Sequence, residues 1–232
     1  MDHSSNKNNQ NIKNYITVAQ FNIQSVKNKK PLLLQFLFEQ DIDICMLNET
    51  WLKENSCFNI PDYNIILQNG PNGHGGVAIL IKSVAILIKS SYKYKVIQTP
   101  YYDHLQTVAI ILKLNIGQIS MLCAYSPPRG GRFKCKKLKQ IIDNLPKPLM
   151  LSGDLNGHHV AFGCNSSNSR GNDIFNLLDE SNLCILNTGT ISHNPSAIDI
   201  TCVSPDIAPL CEWKVHNDPM GSYHYPTITD IQ

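Results

Sequence analysis

The sequence predicts a single α/β domain built on packed β-sheets, and three observations support this fold class. Short apolar runs of strand length recur along the chain, few segments have helical periodicity, and no long linker divides the 232 residues. A hydrophobic content of 42% with 16% charged residues provides for a substantial core. We expect residues 15–232 to form the domain, and the polar, Asn-rich residues 1–14 to form a disordered tail.

Three segments are predicted to be helical. Lys29–Gln40 has apolar residues at helical spacing, and Pro31 is expected in its first turn. Arg132–Leu145 is a basic amphipathic segment, and Asn172–Ser181 is the third helix.

Short runs rich in β-branched and other apolar residues predict the strands. These runs are Ile16–Ile23, Ile42–Thr50, Tyr63–Leu67, the region around residues 77–90, Leu105–Leu114, Gln118–Tyr125, Pro148–Ser152, Leu183–Asn187, Ile198–Val203, Trp213–Val215 and Tyr225–Thr229. Strands outnumber helices, which favours a core made by sheets rather than by a helix bundle.

One heptad, VAILIKS, occurs twice without a break, at Val77–Ser83 and Val84–Ser90. Seven is an odd number, so in a strand the insertion exchanges the residues that point to the two faces of the sheet. We therefore predict that one copy pairs in the sheet and the other extends a strand end or bulges out. A coiled coil is excluded, because two repeats rich in β-branched residues are too few.

The eight cysteines indicate an intracellular chain rather than a disulfide framework. Several lie inside apolar strand-like runs, and no CxxC pair or zinc-type spacing is present. The polar N-terminus is unlike a signal peptide, and no apolar run reaches the ~18 residues of a membrane span. We expect a protein of the nucleus or cytosol without a membrane partner. The net charge of +2 leaves any polyanion site to local clusters of charge.

Polar side chains lie at the ends of apolar runs along the chain. Six of them follow such a run, namely Asn22, Glu49, Tyr125, Asp154, Asn156 and Asp199, and His224 lies just before the last predicted strand. Singly, an Asn or Asp at the end of a strand is more often a turn former or a helix cap than a catalytic residue. Together, strands that end at one edge of a sheet would bring these side chains to a common site.

The same residues, in this order, resemble a known family. The stretches QFNI, NETW, AYSPP, SGDLN, SAIDI and GSYHYP are similar to motifs of the endonuclease/exonuclease/phosphatase superfamily, whose members are metal-dependent phosphodiesterases. In particular, Gly153–Gly163 and Arg170–Thr190 resemble the apurinic-type endonuclease domain of arthropod non-LTR (LINE-type) retrotransposons. The resemblance covers Ile16 to the C-terminus. It implies a DNase I-like, four-layer α/β sandwich of two packed mixed sheets flanked by helices.

The resemblance also implies roles for the seven residues in the hydrolysis of a phosphodiester. Glu49 is the expected Mg²⁺ ligand, with Mn²⁺ as an alternative ion, and Asp154 is expected to position or deprotonate the attacking water. Asn22, Asn156 and Tyr125 would hold a phosphate oxygen or a metal-bound water. His224 would face the phosphate, with Asp199 bonded to its other ring nitrogen.

One residue departs from the family motif, which is Ser-Asp-His before the terminal histidine. This chain has Ser222-Tyr223-His224, so a tyrosine replaces a carboxylate beside the catalytic histidine. A neutral phenol cannot replace a carboxylate as a metal ligand, and its bulk is also expected to disturb the rotamer of His224. We therefore expect impaired activity.

The expected substrate is double-stranded DNA, nicked to leave a 3′-hydroxyl that primes reverse transcription. Element RNA and a reverse transcriptase domain would be further partners if the chain belongs to a longer polyprotein; no polymerase segment is expected within it, and a monomer is expected. Two interpretations are open for a basic run, a solvated helix face and a contact with the DNA backbone; the run contains Arg129, Arg132, Lys134, Lys136, Lys137 and Lys139. Two alternatives remain open: a catalytically inactive remnant that at most binds DNA, and a phosphatase or lipid phosphodiesterase.

Overall fold

The computed structural model describes residues 13–70, 73–83, 92–114, 117–128, 133, 135–187 and 198–232. Within them the chain forms strands β1 Ile16–Asn22, β2 Ile44–Asn48, β3 Tyr63–Gln68, β4 Val77–Lys82, β5 Lys93–Ile97, β6 Gln106–Leu114, β7 Gly117–Tyr125, β8 Leu149–Asp154, β9 Cys184–Ile185, β10 Asp199–Val203, β11 Cys211–Val215 and β12 Thr227–Ile231. The helices are α1 Val26–Glu39, α2 Cys135–Asp143 and α3 Ser169–Glu180.

The strands form two mixed sheets of six strands each. The first has the order β11-β12-β1-β2-β4-β3, and the second has the order β5-β6-β7-β8-β10-β9. Both sheets combine parallel pairs, β1 with β2 and β7 with β8, with antiparallel ones. The two-sheet α/β architecture predicted from the sequence is therefore confirmed.

Three hydrophobic clusters divide the sandwich into four layers. Side chains of both sheets, such as Val18 and Met121, form the cluster between the sheets. A second cluster packs α1 on the outer face of the first sheet, and a third packs α2 and α3 on the outer face of the second. Because both faces of each sheet are covered, the central strands are apolar at nearly every position, which is why they read as continuous hydrophobic runs.

The alternation of side chains along the strands determines which residues reach the space between the sheets. In β1, Ala19 and Phe21 pack under α1, whereas Val18 packs between the sheets. With a period of two, Gln20 and Asn22 lie on the same face as Val18. The same parity places Asn48, Tyr125 and Asp154 on the inner faces at the ends of β2, β7 and β8, after apolar inner residues that form the core.

Helix α1 differs from its prediction at its N-terminal end. It begins at Val26, three residues before Lys29, so Pro31 lies in the second turn and not in the first. The proline therefore removes the helical bond that its N–H would have made to Lys27 O. The helix tolerates this loss because Leu33, Phe36 and Leu37 are fully buried against the first sheet.

Several other elements differ from their predicted bounds. Helix α3 begins at Ser169 rather than Asn172, since the side chain of Asn168 caps Gly171 N at 2.7 Å. Strand β5 was not predicted as a separate element, and the predicted strand Leu183–Asn187 is reduced to the two residues of β9. Of the predicted tail, residues 1–12 lie outside the described residues, and Lys13 forms a salt bridge with Asp43.

The first copy of the heptad supplies β4, which pairs antiparallel with β2 and with β3. Val77, Ile79 and Ile81 pack between the sheets, and Ala78 and Leu80 pack under α1, so the copy is apolar on both faces as its position requires. The second copy, Val84–Ser90, lies outside the described residues. The prediction that one copy pairs in the sheet is confirmed for the first copy.

Deletion of one heptad is expected to preserve the fold. Deleting either copy gives the same sequence, in which Ser83 is followed by Ser91 and Tyr92. We expect the shortened link to close, because both of its ends contact Asp43: Lys82 N donates to Asp43 O at 2.8 Å, and the Tyr92 side chain bonds to Asp43. A shorter loop costs less closure entropy, so melting should occur at the same temperature or up to about 4 °C higher. A clear fall in the melting temperature would show that the second copy is part of the folded core.

No helix among the described residues is long and apolar enough to cross a membrane. All eight cysteines are free thiols, and Cys45, Cys123 and Cys202 are buried in strands, as their apolar settings predicted.

Candidate active site

The predicted site residues converge at one edge of the sandwich. Strands β1 and β2 are parallel, as are β7 and β8, and each of them ends at this edge with Asn22, Asn48, Tyr125 or Asp154. Asp199 reaches the edge differently from the prediction, because it begins β10 and lies opposite Asp154 in the antiparallel β8–β10 pair. His224 precedes the last strand, β12, as predicted, and β12 is antiparallel to β1.

Glu49 occupies one end of the site. It follows β2 with φ at 53°, a left-handed conformation that interrupts the alternation of the strand. Its Oε1 accepts hydrogen bonds from Asn22 Nδ2 and from the Tyr125 hydroxyl, both at 3.0 Å. Burial and the neighbouring Glu49 carboxylate raise the pKa of Tyr125, so the hydroxyl keeps its proton. In this arrangement the Tyr125 hydroxyl donates its proton to Glu49 and not to a phosphate, which was the expected acceptor.

Asp154 lies deeper than Glu49 and is joined to it by one side chain. Asn22 Nδ2 donates to Asp154 Oδ2 at 2.8 Å as well as to Glu49, and the backbone N–H of Asn156 donates to Asp154 Oδ1 at 2.9 Å. Asn156 has φ at 51°, and its side chain is tied to Ser126 O at 3.2 Å. Burial raises the pKa of Asp154 well above its usual range, and the Asp199 carboxylate opposite raises it further.

His224 and Asp199 form the third part of the site. The ring Nδ1 of His224 is 2.6 Å from Asp199 Oδ2, as the resemblance implied. Burial alone would lower the pKa of His224, but the Asp199 carboxylate outweighs it and raises the pKa to about 9. The imidazole is therefore positively charged at neutral pH, with Nε2 as its second donor.

Two buried amides that the sequence reasoning missed hold these groups across the two sheets. Gln20 Nε2 donates to Asp199 Oδ1 at 2.9 Å and to Asn48 Oδ1 at 3.0 Å. Asn48 Oδ1 also accepts from the backbone N–H of Asp154 at 3.1 Å, and Asn48 Nδ2 donates to Ala124 O. The signal was present in the sequence, since a polar residue inside an apolar run must find a partner when it is buried.

The arrangement can accommodate a divalent cation. Ligand atoms of Asp154, Asp199 and His224 all lie within 4.8 Å of one another, and Glu49 is linked to Asp154 through Asn22. Among the described residues, the buried oxygen Asn22 Oδ1 has no hydrogen-bond partner, so it could accept a hydrogen bond from a metal-bound water. Carboxylate and amide oxygens are the donors that Mg²⁺ and Mn²⁺ prefer. The residues therefore fit the metal that the resemblance implies.

Tyr223 lies at the rim of the site with 81% of its surface exposed. The tyrosine is largely exposed, and the contact between His224 and Asp199 is formed beside it. Ser222 holds the segment: its hydroxyl donates to Asn22 O at 2.7 Å and accepts from His224 N at 3.2 Å.

The residues predicted to contact DNA are only partly described. Arg129, Arg132 and Lys134 lie outside the described residues, whereas Lys136 and Lys137 are exposed on α2. Lys137 Nζ lies 5.3 Å above the ring of Tyr102. Lys139 pairs with Asp143 one turn along the helix, which is the contact of a solvated helix face.

His159, in the loop after β8, and Trp51, in the loop after β2, both make side-chain contacts. His159 caps a short 3₁₀ helix at Val160–Phe162 and stacks on Phe175, with 4.4 Å between the ring centroids. Trp51 is 40% exposed, and its Nε1 donates to Glu49 Oε2 at 3.1 Å.

The stability of the metal-free protein is expected to fall as the pH rises from about 6.5 through 9. The pKa of His224 is about 9 in the fold against 6.5 for an ordinary histidine. Its contribution to the free energy of unfolding is therefore complete below pH 6.5 and is lost as the pH rises through 9. The raised pKa of Asp154 acts in the same direction. Between pH 6.5 and pH 9.5 in EDTA, the melting temperature of the wild type should fall by an amount corresponding to about 3 kcal/mol of stability. The difference should shrink in Asp199→Asn; equal differences in the two proteins would contradict this assignment.

The fold and the site together define a class of protein. A two-sheet α/β sandwich with acidic residues, amides and a carboxylate-bound histidine at one edge is the arrangement of a metal-dependent nuclease or phosphodiesterase. A family model described as endonuclease-reverse transcriptase matches residues 119–228. The structure superposes on the endonuclease domain of TRAS1, a telomere-specific non-LTR retrotransposon, with a TM-score of 0.77, 20% identity and coverage of 94% of this chain and 98% of that one. It superposes on an AP endonuclease of Leishmania major with a TM-score of 0.73, 12% identity and coverage of 94% and 88%.

Two relatives from Drosophila melanogaster place the chain more closely. It is 27% identical to the probable RNA-directed DNA polymerase from transposon X-element over 183 residues, which are 78% of this chain and 19% of the relative. It is 26% identical to the RNA-directed DNA polymerase from mobile element jockey over 199 residues, which are 81% and 21%. The chain thus spans about a fifth of the length of these relatives. In sequence and in fold the chain is therefore similar to the endonuclease domains of non-LTR retrotransposons.

Proposed function

We propose that this domain is a Mg²⁺-dependent endonuclease that nicks double-stranded DNA and leaves a 3′-hydroxyl for target-primed reverse transcription. The observation that carries the proposal is the convergence of Glu49, Asp154 and the His224–Asp199 pair at one edge of the sandwich. A phosphodiester is an anion attacked by water, and this edge offers a base, a cation and carboxylates for a metal within one site.

The contacts of each main site residue support one role in the hydrolysis. Asp154, held by Asn22 and Asn156 and with a raised pKa, accepts the proton of the attacking water. His224, kept protonated by Asp199, donates from Nε2 to a phosphate oxygen that gains charge. Glu49 would hold the divalent ion, and hydrogen bonds from Asn22 and Tyr125 set the orientation of its carboxylate. A bound Mg²⁺ would supply positive charge beside the phosphate and the leaving oxygen.

The names of the relatives support the wider role. Both Drosophila proteins are RNA-directed DNA polymerases about five times the length of the matched segment, so the nick would prime synthesis by a polymerase domain of the same polyprotein on element RNA. The nucleus is the proposed site of action, and the domain is proposed to work as a monomer. Lys136 and Lys137 would contact the DNA backbone beside the site.

The test is nicking of supercoiled plasmid with Mg²⁺, with Mn²⁺ and with EDTA. The expected result is open-circular plasmid with either metal and none with EDTA, and nicks that a DNA polymerase extends without prior phosphatase treatment. Cleavage only of small phosphate esters or phospholipids would instead identify a phosphatase or lipid phosphodiesterase. Nicks that need end repair before extension would exclude the priming role.

A second candidate is a remnant that binds DNA without cutting it. Tyr223 in place of the family carboxylate favours it, and the repeated heptad is a second departure from the family pattern. Retention of a labelled duplex together with metal-independent absence of nicking would support this candidate. A Tyr223→Asp variant that cuts would show that the rest of the site is intact.

A further inference from the structure

We propose that Trp51 is a positioning residue that fixes the Glu49 carboxylate for a divalent cation through its indole N–H. The proposal rests on the proposed function in one respect, namely that Glu49 is a metal ligand. Trp51 belongs to the loop that follows β2, and its Nε1 is 3.1 Å from Glu49 Oε2.

The contacts of Glu49 show why this single bond matters. Its Oε1 accepts two hydrogen bonds, from Asn22 and Tyr125, whereas among the described residues its Oε2 accepts its hydrogen bond from Trp51. Two bonds to one oxygen leave the carboxylate able to rotate about the axis through that oxygen. A donor on the other oxygen removes this freedom. The indole is neutral, so it orients the carboxylate without cancelling the charge that a cation needs.

The indole is itself held in place by the backbone around it. Trp51 has φ at 52°, and its backbone N–H donates to Gly75 O at 2.9 Å. The backbone N–H of Thr50 donates to Gly76 O at 3.3 Å. The indole and the ring of His74 form a T-shaped pair with 6.4 Å between their centroids. These bonds place the donor before any ligand arrives, although 40% of the residue is exposed.

The expected size of the effect follows from the chemistry of the ion. Mg²⁺ requires nearly ideal octahedral geometry at short distances, so a misdirected carboxylate loses affinity steeply. Residues that hydrogen-bond to metal ligands typically change affinity by about 10–100-fold when they are removed. Trp51→Phe should therefore weaken metal binding by about tenfold or more, since phenylalanine keeps an aromatic edge for His74 but has no N–H.

The chain offers a matched control in its other tryptophan. Trp213 has a buried Nε1 without a hydrogen-bond partner among the described residues, so Trp213→Phe also removes an indole N–H, but one that holds nothing. Its metal affinity should equal that of the wild type. In the same variant Trp51 is the only tryptophan left, so its fluorescence should change on titration with Mn²⁺, and Glu49→Gln in that background should abolish the change.

The test measures Mn²⁺ and Mg²⁺ binding without DNA by calorimetry for the wild type, Trp51→Phe, Trp213→Phe and Glu49→Gln. A positioning role requires weaker metal binding in Trp51→Phe, DNA affinity in EDTA equal to the wild type, and recovery of kcat to within about threefold at saturating metal. Unchanged metal affinity in Trp51→Phe would overturn the proposal. Lost DNA affinity in EDTA would also overturn it, since it would make Trp51 a base-stacking residue. Unchanged metal affinity in Glu49→Gln would instead contradict the proposed ligand role of Glu49.

Discussion

Asp154→Asn is expected to lower the rate of plasmid nicking by about 10³-fold while the domain stays folded. Asp154 is the best-placed proton acceptor of the site, because its two oxygens are held by Asn22 Nδ2 and Asn156 N and burial raises its pKa toward neutrality. An amide of the same shape cannot accept the proton of the attacking water. The loss should appear in kcat more than in KM, since the substitution removes a group used in the transition state.

The fold should survive this change because the carboxylate is itself costly to bury. Asn lacks the charge that the Asp199 carboxylate opposes across the β8–β10 pair, and this gain offsets the hydrogen bond that the amide cannot accept. Melting temperatures of the wild type and the variant should agree within about 4 °C. Asp179→Asn, on the exposed side of α3, is the control and should nick at the wild-type rate. A variant at position 154 that keeps most of its activity would assign the base to another group.

Tyr223→Asp is expected to raise the nicking rate by about 10²-fold. The family carboxylate would be restored next to His224, where it adds negative charge for a metal or for the imidazolium, and removal of one such preorganised group typically costs about 10²-fold. The structure indicates that the change costs little stability, since the tyrosine ring is largely exposed while Ser222 and the His224–Asp199 contact are in place. The site is thus arranged to accept the carboxylate.

Single-turnover nicking of plasmid by the two proteins measures this effect, and Tyr223→Asn separates charge from size. The Asn variant removes the phenol without supplying a carboxylate, so it should remain near the wild-type rate. Equal rates for Tyr223→Asp and the wild type would show that position 223 does not limit activity. Equal gains in both variants would assign the impairment to the bulk of the tyrosine.

The sequence by itself determined the fold class and most of the site. Apolar runs of strand length predicted the sheets because strands covered on both faces need apolar residues at nearly every position. Polar residues after these runs identified Asn22, Glu49, Asp154 and Tyr125, since strand ends are where a polar side chain can meet solvent and substrate. The order of the motifs added Asp199 and His224.

The tertiary structure alone decided how these groups are connected. Gln20, Asn48 and Trp51 make contacts across the two sheets or across a loop, and sequence spacing carries no information on which distant groups will be neighbours. Asp199 and His224 reach the site at the starts of antiparallel strands, a consequence of strand order and direction. The physical reason is that hydrophobic periodicity is local, whereas hydrogen bonds between buried polar groups are fixed only when both sheets have packed.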